Sequence, residues 1–442
     1  MIDFIPRSDI LSWGRTPRTQ MRVANPMFRD ELSGLVESGS REPNRLLATG
    51  LRRSYGDSCL NDGGAMADMT GLDRFVSFDR TSGILQAEAG VSFAEVLKLA
   101  IPAGYFLPVT PGTKFVTLGG AVANDVHGKN HHRAGTIGRW VRSIDLTRSD
   151  GTERTVNRDD PTGLFAATVG GLGLTGVMTH VTLELMPITS SNMLAESVPF
   201  GNLGEFFALA AESEATYDYT VAWIDCLANG RTLGRGVFSR ACHSKDGELC
   251  VKSGVGPSIP IDVPGFFLNR LSLSAFNEMY YRFSGRRRQM TTTYDPFFYP
   301  LDAIGGWNKL YGGRGFYQYQ SVVPPGAAEA ATAEMLRAIS HAGQGSFLAV
   351  LKTFGEVPSP GLLSFPMRGT TLALDFANRG QSTISLLDKL DAIVREAGGR
   401  LYPAKDGRLP AAMFKAGYPA LDQFRAHMDP GMSSTFWRRM NQ

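Results

Sequence analysis

The chain has 442 residues, of which 43 % are apolar and 20 % charged, and this composition is typical of a folded globular protein rather than a disordered one. Lys and Arg number 45 against 42 Asp and Glu, and a net charge of +3 argues against a surface built to bind nucleic acid. Because the chain is longer than one hydrophobic core usually serves, we expect two or three domains.

Neither a secretion signal nor a membrane span is visible in the sequence. Residues 1–13 lack the apolar stretch of a signal peptide. The longest segment without charged side chains, 161–183, is rich in glycine and threonine, which is a poor composition for a transmembrane helix. Four cysteines are too few for a disulfide scaffold and indicate free thiols in a reducing compartment. We therefore expect a protein that is cytoplasmic or peripheral at the inner membrane.

The first 190 residues alternate short apolar runs with turns. These runs predict six strands, at 46–48, 65–67, 75–78, 84–87, 141–146 and 177–185. Ser92 and Glu95 have the spacing of a capping box, which predicts a helix that extends through Leu99. Since Pro187 follows the last predicted strand, we place a domain boundary near residue 190.

Residues 191–400 predict an antiparallel sheet covered by helices. Longer strands rich in aromatic residues are expected at 217–223, 316–323, 347–354 and 371–376. Apolar residues with helical spacing predict helices at 327–342 and 383–396. The segment 254–300 contains prolines, glycines and the basic run Arg286–Arg288, and we expect it to be irregular and mobile.

Glycine is the most unusual feature of the composition. The chain has 50 glycines, and in the first 180 residues they cluster at 50–64, 104–138 and 163–176. Glycines concentrated in loops indicate that the backbone approaches a ligand closely. Successive N–H groups in such turns bind anions without needing a helix, so these loops predict a site for a long pyrophosphate-containing cofactor.

Two local motifs suggest other chemistry. Gly171–Gly176 reads GxGxxG, but a β pattern follows it instead of the helix that a dinucleotide-binding fold requires. His127, His131 and His132 suggest a metal site, but glycine and asparagine between them disfavour a helix, and only Asp125 lies nearby to complete a ligand set. We therefore expect no metal and interpret the histidines as packed loop residues.

Five loop motifs follow one another in the chain: RRSYGD, PGT, TLGGA, HGKNHH and GGLGLTG. In this order they resemble the PCMH-type FAD-binding domain of the vanillyl-alcohol oxidase superfamily. Over the whole chain the sequence is similar to the flavin subunits of decaprenylphosphoryl-β-D-ribose 2′-epimerases. The later motifs that carry this similarity are YQYQ at 317–320, FLAVLKTF at 347–354, LDF at 374–376 and GRLYPAKD at 399–406.

The resemblance implies a two-domain α+β fold. It assigns 1–190 to the FAD-binding domain and 191–400 to a substrate-binding domain with an antiparallel sheet covered by helices. The remaining segment, 401–442, is expected to return to the FAD-binding domain.

The resemblance also implies the site residues. The expected FAD-binding residues are Ala48, Thr49, Gly50, Leu51, Arg52, Arg53, Ser54, Tyr55, Gly56, Asp57, Ser58, Gly112, Thr117, Leu118, Gly119, Gly120, Asn124, Asp125, Val126, His127, Val177 and Tyr402. The expected substrate-binding residues are Lys129, Gln320, Lys352 and Lys405, and the expected catalytic residues are Lys405, Tyr55 and His127. Lysines supply point charges for a sugar phosphate, and a lysine beside another cation can act as a base.

Related aldonolactone and alditol oxidases often carry a flavin-linking histidine immediately before the serine of the first loop. Arg53 occupies that position here, before Ser54, so we expect noncovalent FAD.

The implied reaction is FAD-dependent oxidation of the 2′-hydroxyl of a polyprenyl-phosphoryl pentose, the first half of an epimerisation. The expected partners are this lipid-linked sugar phosphate and an NADH-dependent short-chain reductase that completes the inversion. Arg286–Arg288, with Tyr280, Tyr281 and Phe283, suggests a peripheral membrane contact. The alternatives are an aldonolactone or alditol oxidase that uses oxygen on a free sugar, a flavin-binding protein without turnover, and a nucleotide-binding module without flavin.

Overall fold

The computed structural model describes residues 3–251, 256–265, 268–284, 286, 288–405 and 407–442. The strands of the first part of the chain are β1 (Ile5–Arg7), β2 (Met21–Ala24), β3 (Leu46–Thr49), β4 (Ala65–Asp68), β5 (Phe75–Asp79), β6 (Ile84–Glu88), β7 (Tyr105–Phe106), β8 (Val141–Thr147), β9 (Glu153–Asn157), β10 (Val177–Glu184) and β11 (Met186–Pro187). The six strands predicted in this part are all present, each within one residue of its expected ends.

These strands form two main sheets. The first has the order β1-β2-β4-β3, with β4 parallel to both of its neighbours. The second has the order β5-β6-β10-β8-β9 and is antiparallel throughout. Strands β7 and β11 pair with each other. The helices in this part are α1 (Leu32–Ser40), α2 (Phe93–Ala100), α3 (Leu118–Ala123), α4 (His131–Ala134) and α5 (Leu164–Thr168).

Side-chain caps explain where two of these helices begin. Ser92 and Glu95 form the predicted capping box at the start of α2, whose apolar face is buried. The Thr117 hydroxyl accepts the Gly120 N–H at 3.1 Å and begins α3. The TLGGA motif, expected as a glycine loop, is therefore a short capped helix.

The second part of the chain forms one eight-stranded antiparallel sheet, with the order β15-β12-β14-β13-β17-β18-β16-β19. Its strands are β12 (Asn192–Phe200), β13 (Tyr219–Ile224), β14 (Gly236–His243), β15 (Arg288–Thr293), β16 (Phe316–Val323), β17 (Ala349–Phe354), β18 (Gly369–Ala377) and β19 (Arg400–Leu401). The helices are α6 (Leu203–Glu214), α7 (Arg270–Ser284), α8 (Tyr294–Phe298), α9 (Ala328–Ala342), α10 (Gln381–Glu396), α11 (Ala411–Gly417), α12 (Leu421–Arg425) and α13 (Thr435–Met440).

One face of this sheet packs on helices and the other lines a cavity. Apolar residues of α6, α9 and α10 join the sheet in one hydrophobic core. The opposite face presents residues two apart along several strands to the cavity, and on β16 these are the polar residues Gln318 and Gln320. This is the α+β architecture that the sequence predicts, and the expected boundary near 190 falls between β11 and β12.

The prediction that 254–300 is irregular is wrong for most of the segment. The side chain of Asn269 accepts the N–H groups of Leu271 and Ser272 and begins α7. The edge strand β15 pairs with β12, and its polar composition hides the alternation by which strands are recognised. Residues 254, 255, 266, 267, 285 and 287 of this segment, which include Arg287 of the basic run, lie outside the described residues.

The C-terminal segment contacts the first sheet. The guanidinium of Arg439 donates to both carboxylate oxygens of Asp57 at 2.9 Å. The backbone of Leu46 bonds with Gly431 and Ser433. In the part of the chain that the structure describes, no helix combines the length and apolarity needed to cross a bilayer.

Candidate active site

A cavity of about 1010 Å³ is lined by the glycine-bearing loops and by the free face of the eight-stranded sheet. It brings together residues that lie more than 300 positions apart in the chain. The predicted site residues that line it are Ala48, Thr49, Gly50, Leu51, Arg52, Arg53, Ser54, Tyr55, Ser58, Gly112, Thr117, Gly119, Gly120, Asn124, Val126, His127, Lys129, Gln320, Lys352, Tyr402 and Lys405.

Five predicted residues do not line the cavity: Gly56, Asp57, Leu118, Asp125 and Val177. Asp57 is held by its ion pair with Arg439, while Leu118 and Val177 belong to hydrophobic cores. Asp125 is buried and accepts hydrogen bonds from the Gly138 N–H and from two serine hydroxyls of the 355–368 loop. These residues support the lining loops from behind.

The loop after β3 is built to bind an anion. The backbone N–H groups of residues 51–54 border the cavity and donate to no described protein group. Arg52 has a left-handed backbone (φ +51°), a conformation that turns successive N–H groups toward one point. Its side chain points to Asp68 instead, with a 2.7 Å ion pair. The nest of unpaired N–H groups at 51–54 fits a pyrophosphate.

Glycines allow this loop and α3 to approach each other. A Cβ at Gly50 would lie 2.1 Å from the Thr117 hydroxyl, the group that caps α3. At Gly112 the added Cβ would meet no protein atom within 4 Å, so this glycine leaves open space in the cavity wall. Close backbone approach on one side and open space on the other are what a bound cofactor requires.

Three lysines project into the same cavity. Burial, followed by the charge of Lys352, lowers the pKa of Lys129 to about 7. The ammonium of Lys129 donates to the carbonyls of Phe297 (2.5 Å) and Phe298 (3.1 Å). It therefore also holds the loop between α3 and α4 against α8. Burial, followed by the charge of Lys405, lowers the pKa of Lys352 to about 8.

Lys405 is the lysine best suited to proton transfer. Its ammonium lies over the Tyr55 ring, 4.2 Å from the centroid, and makes no hydrogen bond or ion pair with any described residue. Burial lowers the pKa of Lys405 to about 8, against the opposing effect of Asp375. A half-buried amine with a pKa this close to neutrality can both accept and hold a proton.

His127 is held neutral beside these lysines. The Gln320 amide donates to its Nε2 at 3.0 Å, which leaves the proton on Nδ1. Nδ1 is buried without a protein partner among the described residues. Burial and the nearby lysines hold the pKa of His127 well below its usual range. His127 can therefore donate a hydrogen bond to a ligand, but its accepting nitrogen is already used.

Tyr402 fixes the C-terminal segment against the end of α3. Its hydroxyl donates to the carbonyl of Asn124 at 2.8 Å, and its ring stacks on Phe365 at 4.5 Å. The 401–405 segment is thereby held at the cavity, which brings Lys405 to Tyr55.

Sequence reasoning missed two polar residues of the site, Gln318 and Asp375. They face each other across β16 and β18, and Gln318 donates to Asp375 at 2.8 Å. The available signal was the two-residue spacing from Gln320 along β16, which predicts a common face. It also missed the apolar end of the cavity, where Leu268, Leu273, Phe276 and Tyr280 of the α7 region meet Trp223 and Phe347 of the sheet side.

The geometry therefore combines an anion nest, space between glycines and a cluster of half-buried amines, and it fits FAD with an alcohol substrate. The orphaned N–H groups of 51–54 and the orphaned Nδ1 of His127 are the observations that favour a bound ligand. Among the described residues, no group of three His, Cys, Asp or Glu side chains could hold a metal ion.

Comparisons with known proteins agree with this assignment. The family model of an FAD binding domain matches residues 22–157. Decaprenylphosphoryl-β-D-ribose oxidase of Mycolicibacterium smegmatis is 37 % identical over 436 residues, which cover 95 % of this chain and 94 % of the relative.

More distant relatives match only part of the chain. L-gulono-1,4-lactone dehydrogenase of Mycobacterium tuberculosis is 25 % identical over 180 residues, 40 % of this chain and 41 % of the relative. D-lactate dehydrogenase of Anaerostipes hadrus is 26 % identical over 151 residues, 33 % of this chain and 32 % of the relative. The likeness to the ribose oxidase extends through both parts of the molecule, and the chain belongs to the decaprenylphosphoryl-β-D-ribose oxidase family of FAD-dependent oxidoreductases that act on CH–OH groups.

Proposed function

We propose that this protein oxidises the 2′-hydroxyl of a polyprenyl-phosphoryl pentose, of the decaprenylphosphoryl-β-D-ribose type, to the 2-keto sugar. One observation carries the proposal: a single cavity joins the half-buried lysines beside the glycine-bearing loops to an apolar end under α7. A sugar phosphate matches the lysines and a polyprenyl chain matches the apolar end. A free sugar would leave the apolar end without a ligand.

The chain's own residues supply binding and proton transfer. Bound FAD would supply the hydride acceptor, held by the nest at 51–54 and by the loop that includes Gly112. Lys405, in its neutral form, would accept the proton of the 2′-hydroxyl as hydride leaves the same carbon. The hydride carries away two electrons and one proton, and the second proton stays on the lysine nitrogen. Tyr55, directly under Lys405, would orient that hydroxyl.

Lys352 and His127 would position the sugar phosphate. The ammonium of Lys352 makes no hydrogen bond or ion pair with a described residue and is available as a point charge for phosphate. The buried Nδ1–H of His127 would donate to a sugar or flavin oxygen. Apolar walls around these groups exclude water and strengthen their electrostatic effect.

The flavin is proposed to be noncovalent. Arg53 occupies the place of a linking histidine, and its guanidinium lies 4.0 Å from the centre of the Trp13 ring. No histidine or cysteine lies between residues 46 and 56, and the thiol of Cys59, which lines the cavity, is less nucleophilic because burial raises its pKa to about 12.

The keto product implies a second enzyme. Completing an epimerisation requires a hydride returned to the opposite face of the same carbon, which this site does not provide for by itself. We propose an NADH-dependent short-chain reductase as that partner. A lipid-linked substrate also implies contact with a bilayer, for which the exposed apolar side of α7 is the proposed surface.

The experiment compares substrates by anaerobic bleaching of the flavin. Decaprenylphosphoryl-ribose is expected to bleach the flavin, and ribose 1-phosphate, which lacks the tail, to do so only at far higher concentration. Gulonolactone and free alditols, the substrates of the alternative function, are expected to leave it oxidised. Equal bleaching by a lactone and by the lipid-linked sugar would contradict the proposal.

A pair of variants tests the apolar end separately. Phe276→Ala, on the cavity side of α7, should raise the KM for the long-tailed substrate and leave the constants for a tail-less analogue unchanged. Phe75→Ala is the matched control, because Phe75 is exposed to a similar degree on β5 and does not line the cavity. A KM for the long-tailed substrate that is unchanged in Phe276→Ala would reject the tail site.

A further inference from the structure

Asp375 is a buried carboxylate in the cavity wall that the reaction described above does not use. It lies on β18 with a side chain that is 1 % exposed. The Gln318 amide donates to one carboxylate oxygen at 2.8 Å, and the Tyr311 hydroxyl donates to the other at 3.4 Å. Its backbone N–H bonds the Ser346 hydroxyl at 3.3 Å. Both oxygens are therefore held in place by neutral donors.

This carboxylate has no ion-pair partner among the described residues, although a buried charge normally requires one. Among the described residues that line the cavity, the acidic groups are Asp302 and Asp375. Asp302 accepts the backbone N–H of Lys114 and lies beside the loop that precedes α3. Asp375 is left as the negative charge that acts on Lys405.

Aromatic packing connects the two groups into one rigid unit. Lys405 lies over the Tyr55 ring, which meets the edge of Phe316 at 5.5 Å. Phe316 stacks on Tyr311 at 4.2 Å, and Tyr311 bonds Asp375. The three rings and the carboxylate are buried and Lys405 is half-buried, so packing restricts the separation between the ammonium and the carboxylate.

We propose that Asp375 is a positioning residue for the oxidation: its fixed negative charge stabilises the ammonium that forms when Lys405 takes the proton of the substrate hydroxyl. This inference rests on the proposed function. The proton moves from the hydroxyl oxygen to the Lys405 amine, and Asp375 exchanges no proton in the step.

The electrostatics of the site agree with this role. Burial lowers the pKa of Lys405, and Asp375 is the group that opposes this effect. Burial raises the pKa of Asp375 to about 7, while Gln318, Lys405 and Tyr311 act to lower it. The other titratable groups that face Lys405 are Tyr55 below it, and the cation Lys352 and the neutral imidazole of His127 beside it. Of these, none supplies a negative charge at neutral pH.

The test is the pH dependence of anaerobic flavin reduction by decaprenylphosphoryl-ribose in Asp375→Asn. Reduction needs neutral Lys405, so its rate rises as the pH passes the lysine pKa. Removing the carboxylate lowers that pKa. We therefore expect the acid limb of the pH–rate profile, in which the rate rises with pH, to move to lower pH by about one unit. At high pH the plateau should fall about tenfold, because the new ammonium loses its counter-charge.

Two further variants separate positioning from folding. Gln318→Met removes the donor that keeps Asp375 ionised and should move the acid limb in the same direction, with bound FAD retained. Asp391→Asn removes another buried carboxylate, one paired with Arg408 at 2.8 Å outside the cavity, and should lower thermal stability without moving the limb. An acid limb that coincides in Asp375→Asn and the unmodified protein would overturn the inference.

The two proposals fail in different ways. If the unmodified protein is not reduced by the lipid-linked sugar, the proposed function fails. If the unmodified protein is reduced normally and the Asp375→Asn profile is unshifted, the proposed function stands and the role of Asp375 alone is rejected.

Discussion

Lys405 is the residue on which the chemistry of this site most depends. Its side chain is half-buried, lies over the Tyr55 ring and makes no hydrogen bond or ion pair with any described residue. Its sequence neighbour Asp406 lies outside the described residues. Removing an ammonium from water without a hydrogen-bond acceptor costs free energy. An oxygen of the bound substrate would supply that acceptor.

Lys405→Met should keep the fold and the bound FAD but slow flavin reduction by substrate by about 10²-fold or more, as expected when a general base is removed. In the unmodified protein the rate should rise with pH through about 8, where Lys405 loses its proton. In Lys405→Met this rise should disappear. Stopped-flow absorbance under anaerobic conditions measures both.

Lys98→Met, which removes an exposed lysine of α2, is the matched control and should behave as the unmodified protein. Tyr55→Phe should cost less than Lys405→Met, because it leaves the base in place. A rate in Lys405→Met close to the normal one would assign the base to another residue.

The attachment of the flavin is also decided at single positions. With Arg53 before Ser54 and with no histidine or cysteine from 46 to 56, we predict that acid precipitation releases the flavin into a yellow supernatant and leaves a colourless pellet. Absorbance of the two fractions measures this. Flavin that stays with the precipitated chain after washing would show a covalent link and contradict the prediction.

At the scale of elements, the cofactor loops depend on contacts between a loop and a helix end. Gly50 faces the hydroxyl of Thr117, and that hydroxyl caps α3. The nest at 51–54 is positioned by this contact and by the Arg52–Asp68 ion pair. A change at Gly50 therefore acts on the nest and on α3 together.

Gly50→Ala should weaken FAD binding at least about tenfold, ~1.4 kcal/mol, because the new Cβ would lie 2.1 Å from the Thr117 hydroxyl. Titration of the stripped protein with FAD measures the Kd. Gly34→Ala, in α1 with no atom within 4 Å of the added Cβ, is the control and should bind FAD normally. Equal affinities in the two variants would mean that the close approach at Gly50 does not support the site.

The elements differ in how well the sequence predicts them. Strands with alternating apolar residues, such as β6 and β10, were found within one residue of their ends, because one buried face imposes that pattern. The sequence pattern did not predict the edge strand β15, because an exposed edge leaves no apolar alternation. Asp375 was not predicted as a site residue, because its role depends on the register between β18 and β16, which is a tertiary property.

At the scale of the whole molecule, the cavity opens beneath α7, and the outer side of this helix is apolar. Leu271 and Phe283 are 82 % and 83 % exposed, and Met279 is half exposed. Arg286 lies just beyond the helix and is exposed. An apolar stripe beside basic residues is typical of helices that lie on anionic membranes.

The double variant Leu271→Ser/Phe283→Ser should therefore sediment less with vesicles that contain anionic lipid, while its rate on a soluble short-tailed substrate stays normal. Vesicles of neutral lipid provide the comparison for the basic residues. Unchanged sedimentation of the double variant would reject α7 as the contact.

Removal of hydride from the 2-position of a lipid-linked pentose can be measured by anaerobic flavin bleaching with decaprenylphosphoryl-ribose deuterated at that carbon. We expect bleaching to be several-fold slower with deuterium at the 2-position and unchanged with deuterium at the 3-position. Bleaching that is insensitive to deuterium at the 2-position but slowed by deuterium at the 3-position, or no bleaching by the unlabelled compound, would contradict this expectation.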